Sequence, residues 1–495
     1  MRHKLVYISI RILFILSAIA LILTAKGWRY DFTQRTFIRT GILDVHSRPN
    51  GSQIMLGSDD YGLTPKKIPS LTPGRYQLTV TKTNYYPWQK NVTIYPELVT
   101  QMFDIILFPM QIELQPIEQL LASNIDLDEK NGYISTINPE SETLVRLSIY
   151  TTGFNRLSEY LLPADLQNNA SVEIHWSPES RYAIANFFTR VNEKKNLQYS
   201  YYIDSKNMTA QPRELTIAES FRSSRSALLA PVWHPVEPAV FLTDTNQTLM
   251  MVRLDDGEVT EVLTTGKNVQ PLFCTPASGL FGKARLYYSN SASATDMTLR
   301  FTELPSDETS KDVASLTISG DISSIILSND RNNVFLGTPA NSEIITNLTS
   351  DSPNIKHIPQ PILKSIGWSN DGEKFLFFTE DNQIAYYDQT KNSFRYPYRS
   401  SEEEMIGSAC WHSTDAYILF SVTASQTPDR TDIRVIDTDG QNYLTILETA
   451  DQLPADQSVD TEAPLICTRD DRLIISSMNR ENKSFPYSFF TAAYN

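Results

Sequence analysis

The sequence predicts an all-β chain in three parts: an N-terminal transmembrane helix, a small β-sandwich, and a seven- or eight-bladed β-propeller. Three observations predict it. Residues 5–25 form an almost unbroken apolar run. Residues 41–109 alternate between apolar and polar positions in short stretches separated by Pro and Gly turns. From residue 118 onward one template recurs at intervals of 40–57 residues: an apolar strand ending in Trp, a polar turn, and a second apolar strand.

The first element is the apolar run LVYISIRILFILSAIALILTA, interrupted by Arg11. Its length at 1.5 Å per residue is enough for a hydrocarbon layer of roughly 30 Å. Arg11 lies two turns in, within reach of the near interface. Trp28 and Tyr30 follow where an interfacial aromatic belt would sit. A cleaved signal peptide competes with this reading, because the uncharged part of the run, 12–25, has only 14 residues. The basic flanks nearly balance, and the short basic N-terminus favours an orientation with the following domains outside the cytoplasm. The sequence therefore predicts an anchor over 1–30, a juxtamembrane linker over 31–40, and contact with the cell membrane through residues 5–25.

Charge separates the body from this start. Residues 1–40 carry seven Lys/Arg and one Asp, while the whole chain is at −14. An acidic body repels nucleic acid phosphates, so no nucleic acid partner is expected. At 41% apolar, 11% aromatic and 20% charged, the composition is that of an ordered globular protein. The 24 Tyr and 22 Phe suit strands. Seven Asn-X-Ser/Thr sequons (Asn50, Asn91, Asn169, Asn207, Asn246, Asn347, Asn482) carry little weight in a chain rich in those residues.

Residues 41–109 read as a compact antiparallel sandwich. Four submotifs follow in order: PNGS at 49–52, GLTP at 62–65, LTPGRY at 71–76 and NYYPW at 84–88. Together they resemble the PEGA domain, with Asn50, Ser52 and Asn84 as turn-compatible departures from that family's Glu, Ala and Gly. The resemblance implies a spacer or adhesion module of prokaryotic envelope proteins, with Tyr85, Tyr86 and Trp88 in the core.

The repeat array occupies 110–495. Its strong copies end their first strand at Trp176, Trp233, Trp368 and Trp411, and weaker copies place Leu127, Phe273, Leu327 and Cys467 there. Each unit holds about four short strands, the content of one propeller blade. The turn WSNDG at 368–372 and its relative at 176–182 resemble TolB-type, WD40-like (PD40) repeats. The four tryptophans are expected between blades. The last unit supplies only about three strands, so residues 111–114, within the spare strand 110–117, are expected to close it and make eight blades.

Chemistry is scarce. No G-x-S-x-G, P-loop, H-E-x-x-H or paired C-x-x-C occurs. Of the six His, His175, His234 and His412 flank the repeat Trp but fall in blades two, three and seven, the last not next to the other two, while His3, His46 and His357 are scattered. No metal, cofactor or catalytic residue is expected, and Glu402, Glu403 and Glu404 read as a solvated loop. Cys274, Cys410 and Cys467 favour buried free thiols, with a Cys410–Cys467 bridge as the alternative. The sequence thus predicts a non-catalytic, membrane-anchored binding protein of the cell envelope, taking an envelope protein or polysaccharide on the propeller. The alternative is a propeller enzyme, a glycan lyase or hydrolase.

Overall fold

The computed structural model describes the chain except residues 1, 26, 32–34, 118–123, 129–132, 142–143, 152–154, 164–169, 192–193, 208–209, 216–230, 245, 247, 265–268, 278–282, 292–296, 305–309, 317–321, 323, 339–341, 351–352, 451, 455, 461–464, 480–487 and 495. It falls into two compact units. One comprises 1–113 with 434–447 and 493–495; the other comprises 114–433 and 448–492.

The first unit begins with helix α1 (Arg2–Ala25). Among the described residues, no helix is long and apolar enough to cross a membrane. This corrects the transmembrane segment expected over residues 5–25, and with it the single-pass membrane localisation. The physical reason lies in the charges. Arg2, Lys4 and Arg11 occupy the first half of the helix, and the uncharged remainder, 12–25, spans about 21 Å against a layer of roughly 30 Å.

The stretch 31–40 is not a bare linker. Strands β1 (Trp28–Asp31) and β2 (Thr36–Arg39) pair as a hairpin, with Tyr30 edge-on to Phe37 and Arg39 over the Trp28 ring. The sandwich follows: β3 (Gly41–Arg48), β4 (Gln53–Leu56), β5 (Asp59–Leu63), β6 (Lys66–Leu71), β7 (Gly74–Thr81), β8 (Trp88–Ile94) and β9 (Val99–Ile106). They form one sheet in the order β5-β4-β7-β8 and another in the order β6-β3-β9. The period-2 pattern buries Leu43, Val45, Ile54, Leu56, Leu78, Val80 and Trp88 between them. Tyr85 and Tyr86 are only half-buried. Asn84 holds a left-handed φ of 67° where the submotif has Gly in its relatives, a conformation Asn tolerates better than most residues. One pairing departs from the antiparallel expectation: β9 runs parallel to β3, with Val45 opposite Met102. Alternation in a strand reports which face is buried and carries no information on the direction of its neighbour.

Residues 115–493 form eight successive sheets, most of them within the second unit. Seven are four-stranded meanders, at 124–163, 170–214, 232–264, 269–316, 324–357, 362–399 and 404–448. Their first strands are Asn124–Asp128, Ala170–Trp176, Val232–Trp233, Val269–Thr275, Ser324–Leu327, Ile362–Trp368 and Glu404–Trp411, so every repeat position assigned from the sequence lies at or near the end of a first strand. The eighth sheet combines Gln457–Val459, Ile466–Cys467, Arg472–Asn479 and Ser488–Ala493 with strand β10 (Gln115–Pro116). Here β10 is the outer strand, with Gln115 opposite Thr491 and Pro116 opposite Phe490. The pairing strand therefore starts just after the expected 111–114.

Hydrophobic clusters join six of the eight neighbouring pairs of sheets, while the Tyr386–Trp411 ring contact joins the sixth to the seventh and the Cys410–Cys467 disulfide the seventh to the eighth. Leu147 and Ile149 of the first pack with Phe187 and Tyr201 of the second. Ile184 packs with Trp233 and Val240, Leu249 with Tyr288, Phe301 with Val334, and Phe335 with Phe375. Ile474 and Phe489 of the eighth sheet then pack with Ile134 and Tyr150 of the first, together with Ile117. The array closes on itself as a ring of eight, an all-β propeller. Trp233, Trp368 and Trp411 are buried, and Trp176 sits half-buried against the first-to-second cluster.

Two of the three thiols are not free. Cys410 and Cys467 form a disulfide, and Cys274 alone is a buried free thiol. Spacing in the sequence could not weigh the bridge, because only the stacking of the seventh and eighth sheets brings the two Cα atoms to 5.8 Å.

Candidate functional site: the turn-lined rim of the propeller

In an antiparallel meander the first-to-second and third-to-fourth turns fall at the same end of the sheet. The repeat residue ends the first strand, so these turns gather on one rim of the ring. Their local chemistry repeats. The residue after the repeat position caps the turn through its side chain: Ser177 Oγ accepts from Tyr182 N, Ser328 Oγ from Asn333 N, Ser369 Oγ from Lys374 N and Thr468 Oγ1 from Arg472 N. In two blades His does the same work, with His234 Nδ1 accepting from Glu237 N at 2.9 Å and His412 Nδ1 from Thr414 N at 3.1 Å. Ser and His share a small acceptor at the right reach, which is why they interchange here.

This settles what the repeat-flanking histidines are. His234 and His412 cap turns through Nδ1, and burial pushes the His234 imidazole below its ordinary range. His175 lies 3.8 Å from Glu173 on its own strand, His46 pairs with Asp44, and His357 with Glu343. The side chain of His3 lies outside the described residues. Among the described residues, no group of three or more His, Cys, Asp and Glu is placed to hold a metal ion. Of the acidic triplet, Glu402 and Glu403 are exposed as expected, whereas Glu404 opens the seventh blade's first strand and accepts from Tyr398 Oη.

Four residues past the repeat position the backbone turns left-handed, at Ser180, Arg331, Gly372, Asp415 and Asp471. The sequence shows only a Gly in WSNDG; the other four positions carry no shared residue type and were not legible. At this position side chains and backbone link one blade to the next. Asp415 accepts from Asn370 N at 2.7 Å and Asp371 N at 2.9 Å on the sixth blade. Asp471 accepts from Ser413 Oγ on the seventh. Asn333 donates to Gly372 O, and Arg331 to Cys274 O. Burial pushes the Asp415 carboxyl up, against the pull of these hydrogen bonds. Burial likewise lowers the Arg331 guanidinium to about 10. The rim is thus a bonded lattice running from the fourth blade to the eighth.

Acidic side chains dominate its exposed surface. Asp255, Asp256 and Glu258, on the third blade's outer turn, share one cation, Arg253, at 3.0, 3.6 and 3.9 Å. The hydrogen bond from Arg253 holds the Asp255 carboxyl below the usual range, against burial. Glu179, Glu237, Asp330, Asp371 and Asp470 are exposed on the first-to-second turns, against exposed Lys206, Arg213, Lys391 and Arg469.

Residues 40–107 match the family model of the PEGA domain. The first sandwich is therefore a PEGA domain. Among curated proteins none matches the chain. Among solved structures the chain is similar to the C-terminal WD40 domain of Sif2, at 10% identity and a TM-score of 0.46, covering 77% of this chain and 99% of that one. It is also similar to Porphyromonas gingivalis dipeptidyl peptidase 4, at 10% identity and a TM-score of 0.45, covering 74% and 59%. A third is the β-propeller domain of Myceliophteria thermophila Cps50 (Swd1), at 10% identity and a TM-score of 0.42, covering 78% and 100%. The TolB-type (PD40) resemblance rests on the repeat motif alone.

Proposed function

We propose that this chain is a non-catalytic interaction platform whose propeller rim takes the basic face of a protein partner. A propeller joined to a PEGA domain is a binding or interaction platform. The observation that carries it is the bonded turn lattice bearing an excess of exposed carboxylates. Turns already held by Asp415 and Asp471 lose little freedom on binding, so fixed charges cost little to present. The acidic excess attracts and orients a cationic surface, with an effect that falls with salt. Of the protein and polysaccharide ligands expected, a basic protein fits this charge and a neutral glycan gains nothing from it.

A propeller enzyme would need carboxylates converging on one point. Among the described residues, the carboxylates with shifted ionisation lie on the third, sixth and seventh blades and serve as turn acceptors or ion-pair partners, and the close pair Asp437 and Asp439 is occupied by Lys90, which supports the binding reading. The test titrates the full chain with a Lys/Arg-rich peptide, a Glu-rich peptide and dextran at low and physiological salt. Binding of the basic peptide alone is expected, weakened about tenfold or more by Asp255→Lys with Glu258→Lys. Dextran bound as tightly as the basic peptide, or no response to charge reversal, would overturn the reading.

A further inference from the structure

The seams between blades are not all tied in the same way. At the fifth-to-sixth seam, Trp368 Nε1 donates to the carbonyl of Ile326 at 2.9 Å. At the sixth-to-seventh seam, Trp411 Nε1 donates to the carbonyl of Gly367 at 3.3 Å. In both, the donor sits at the repeat position of one blade. The acceptor is the residue immediately before the repeat position of the preceding blade. The register confirms the equivalence: Ile326 and Leu327 face Phe335 and Val334, Gly367 and Trp368 face Leu376 and Phe375, and Cys410 and Trp411 face Leu419 and Ile418.

The seventh-to-eighth seam has no tryptophan. Its repeat position is Cys467, opposite Leu473, and Cys467 is bonded to Cys410, the residue immediately before Trp411. The disulfide therefore joins the same two positions that the indole-to-carbonyl bond joins at the two seams before it. We propose that the Cys410–Cys467 cystine is a covalent substitute for the repeat tryptophan, and that it makes closure of this one seam dependent on redox state.

The blade it secures has little else to hold its first strand. Ile466–Cys467 is a two-residue strand, and Gln457–Val459 occupies the same edge of Arg472–Asn479 separately. The remaining cross-seam tie described at the rim is the Ser413-to-Asp471 bond, reinforced by His412 at 3.6 Å from the same carboxylate. Both cysteines are half-buried, unlike the buried Cys274, so a small reductant can reach the bridge. The step is a thiol–disulfide exchange with a dithiol. The dithiol closes to its own disulfide and delivers two electrons and two protons, and Cys410 and Cys467 leave as two thiols. A short thiol pair has neither the volume nor the N–H donor of an indole, so the reduced seam keeps its packing and the Ser413–Asp471 bond but loses the tie at the repeat position.

The test compares the full chain in oxidising buffer and in dithiothreitol. Alkylation under denaturing conditions should add one label, at Cys274, before reduction and three after it. Three labels before reduction would overturn the proposal. Reduction should lower Tm by about 5 °C and raise hydrogen exchange in Arg472–Asn479 while leaving the strands of the second and third blades unchanged. A uniform rise in every blade, or no rise at all, would overturn it. The substitution that distinguishes a tie from mere cross-linking is Cys467→Trp with Cys410→Gly, which rebuilds the Gly367–Trp411 arrangement. Its exchange pattern should match the oxidised wild type and ignore dithiothreitol, whereas Cys410→Ser should match the reduced wild type. Equal behaviour of the two variants would sink the equivalence.

Discussion

Trp411 gives its indole N–H to the carbonyl of Gly367, and Trp368 gives its own to Ile326. Trp233, at the same repeat position and equally buried, has no acceptor for its Nε1 among the described residues. Replacement by Phe keeps most of the ring volume and deletes the donor. Trp411→Phe and Trp368→Phe should each remove the indole donor from a half-buried carbonyl and cost about 1–2 kcal/mol more than Trp233→Phe. Equilibrium urea unfolding of the three variants checks the order.

Asp415 combines a left-handed φ of 57° with a carboxylate that accepts from two backbone amides of the sixth blade. Asp415→Gly relieves the backbone but drops both acceptors, and Asp415→Ala also adds the left-handed penalty of about 1 kcal/mol. Asp415→Asn keeps the conformation and one acceptor. The expected order of Tm is wild type, Asn, Gly, Ala, with Ala about 3 kcal/mol below wild type; a differential scan of all four decides it.

Asp437 sets a pH dependence in the PEGA-containing unit. Burial, and then the hydrogen bond with Asp439, lift its carboxyl to about 6, against Asn442 and Lys90. Asp439, which burial would also raise, is held below the ordinary range by Asp437 and Lys90. A carboxyl whose folded value lies above its unfolded one favours folding most in acid. That contribution is complete below about pH 4 and fades as the pH rises through 6. Corrected for the intrinsic base-catalysed rate, protection of the amides at 437–442 should therefore be greater at pH 5 than at pH 7, and Asp437→Asn should remove the difference.

Ile117 and Phe489 lie in the cluster that joins the eighth sheet to the first, and Ile117 N donates to Phe489 O at 2.8 Å. Ile117→Ala should cost about 2–4 kcal/mol and Phe489→Ala about 3–5. Because the two share one cluster, the double variant should cost less than the sum by at least about 0.5 kcal/mol. Strict additivity in chemical denaturation would mean that β10 does not help hold the ring.

The eightfold repeat was legible because two of its signals survive divergence. One is the spacing; the other is a large side chain at or near the end of every first strand but the eighth, which ends in Cys467. Leu127, Phe273 and Leu327 took the right places on spacing alone, although none is a Trp. The rim lattice was not legible, since what Ser180, Arg331, Asp415 and Asp471 share is a backbone conformation rather than a residue type. The cystine was legible only as the alternative to free thiols for a related reason: Cys410 and Cys467 are brought together by blade stacking, which no local pattern encodes. The apolar N-terminal run misled in the opposite direction, because its total length outweighed the charge at Arg11 that shortens its uncharged part.

The pairing of Gln115 with Thr491 also imposes an order in time. During synthesis the first edge of the ring emerges roughly 370 residues before the strand it must meet. At about 5–20 residues per second, that is a delay of some tens of seconds. Blades can stack one upon another as they appear, since each needs only its predecessor. Yet the growing arc carries two raw ends throughout: the first sheet with its outward face uncovered, and the newest one. Such ends are the surfaces on which neighbouring nascent chains could cross-pair. For this protein the vulnerable moment is the interval on the ribosome, and the last strand to appear, Ser488–Ala493, is the one that ends it.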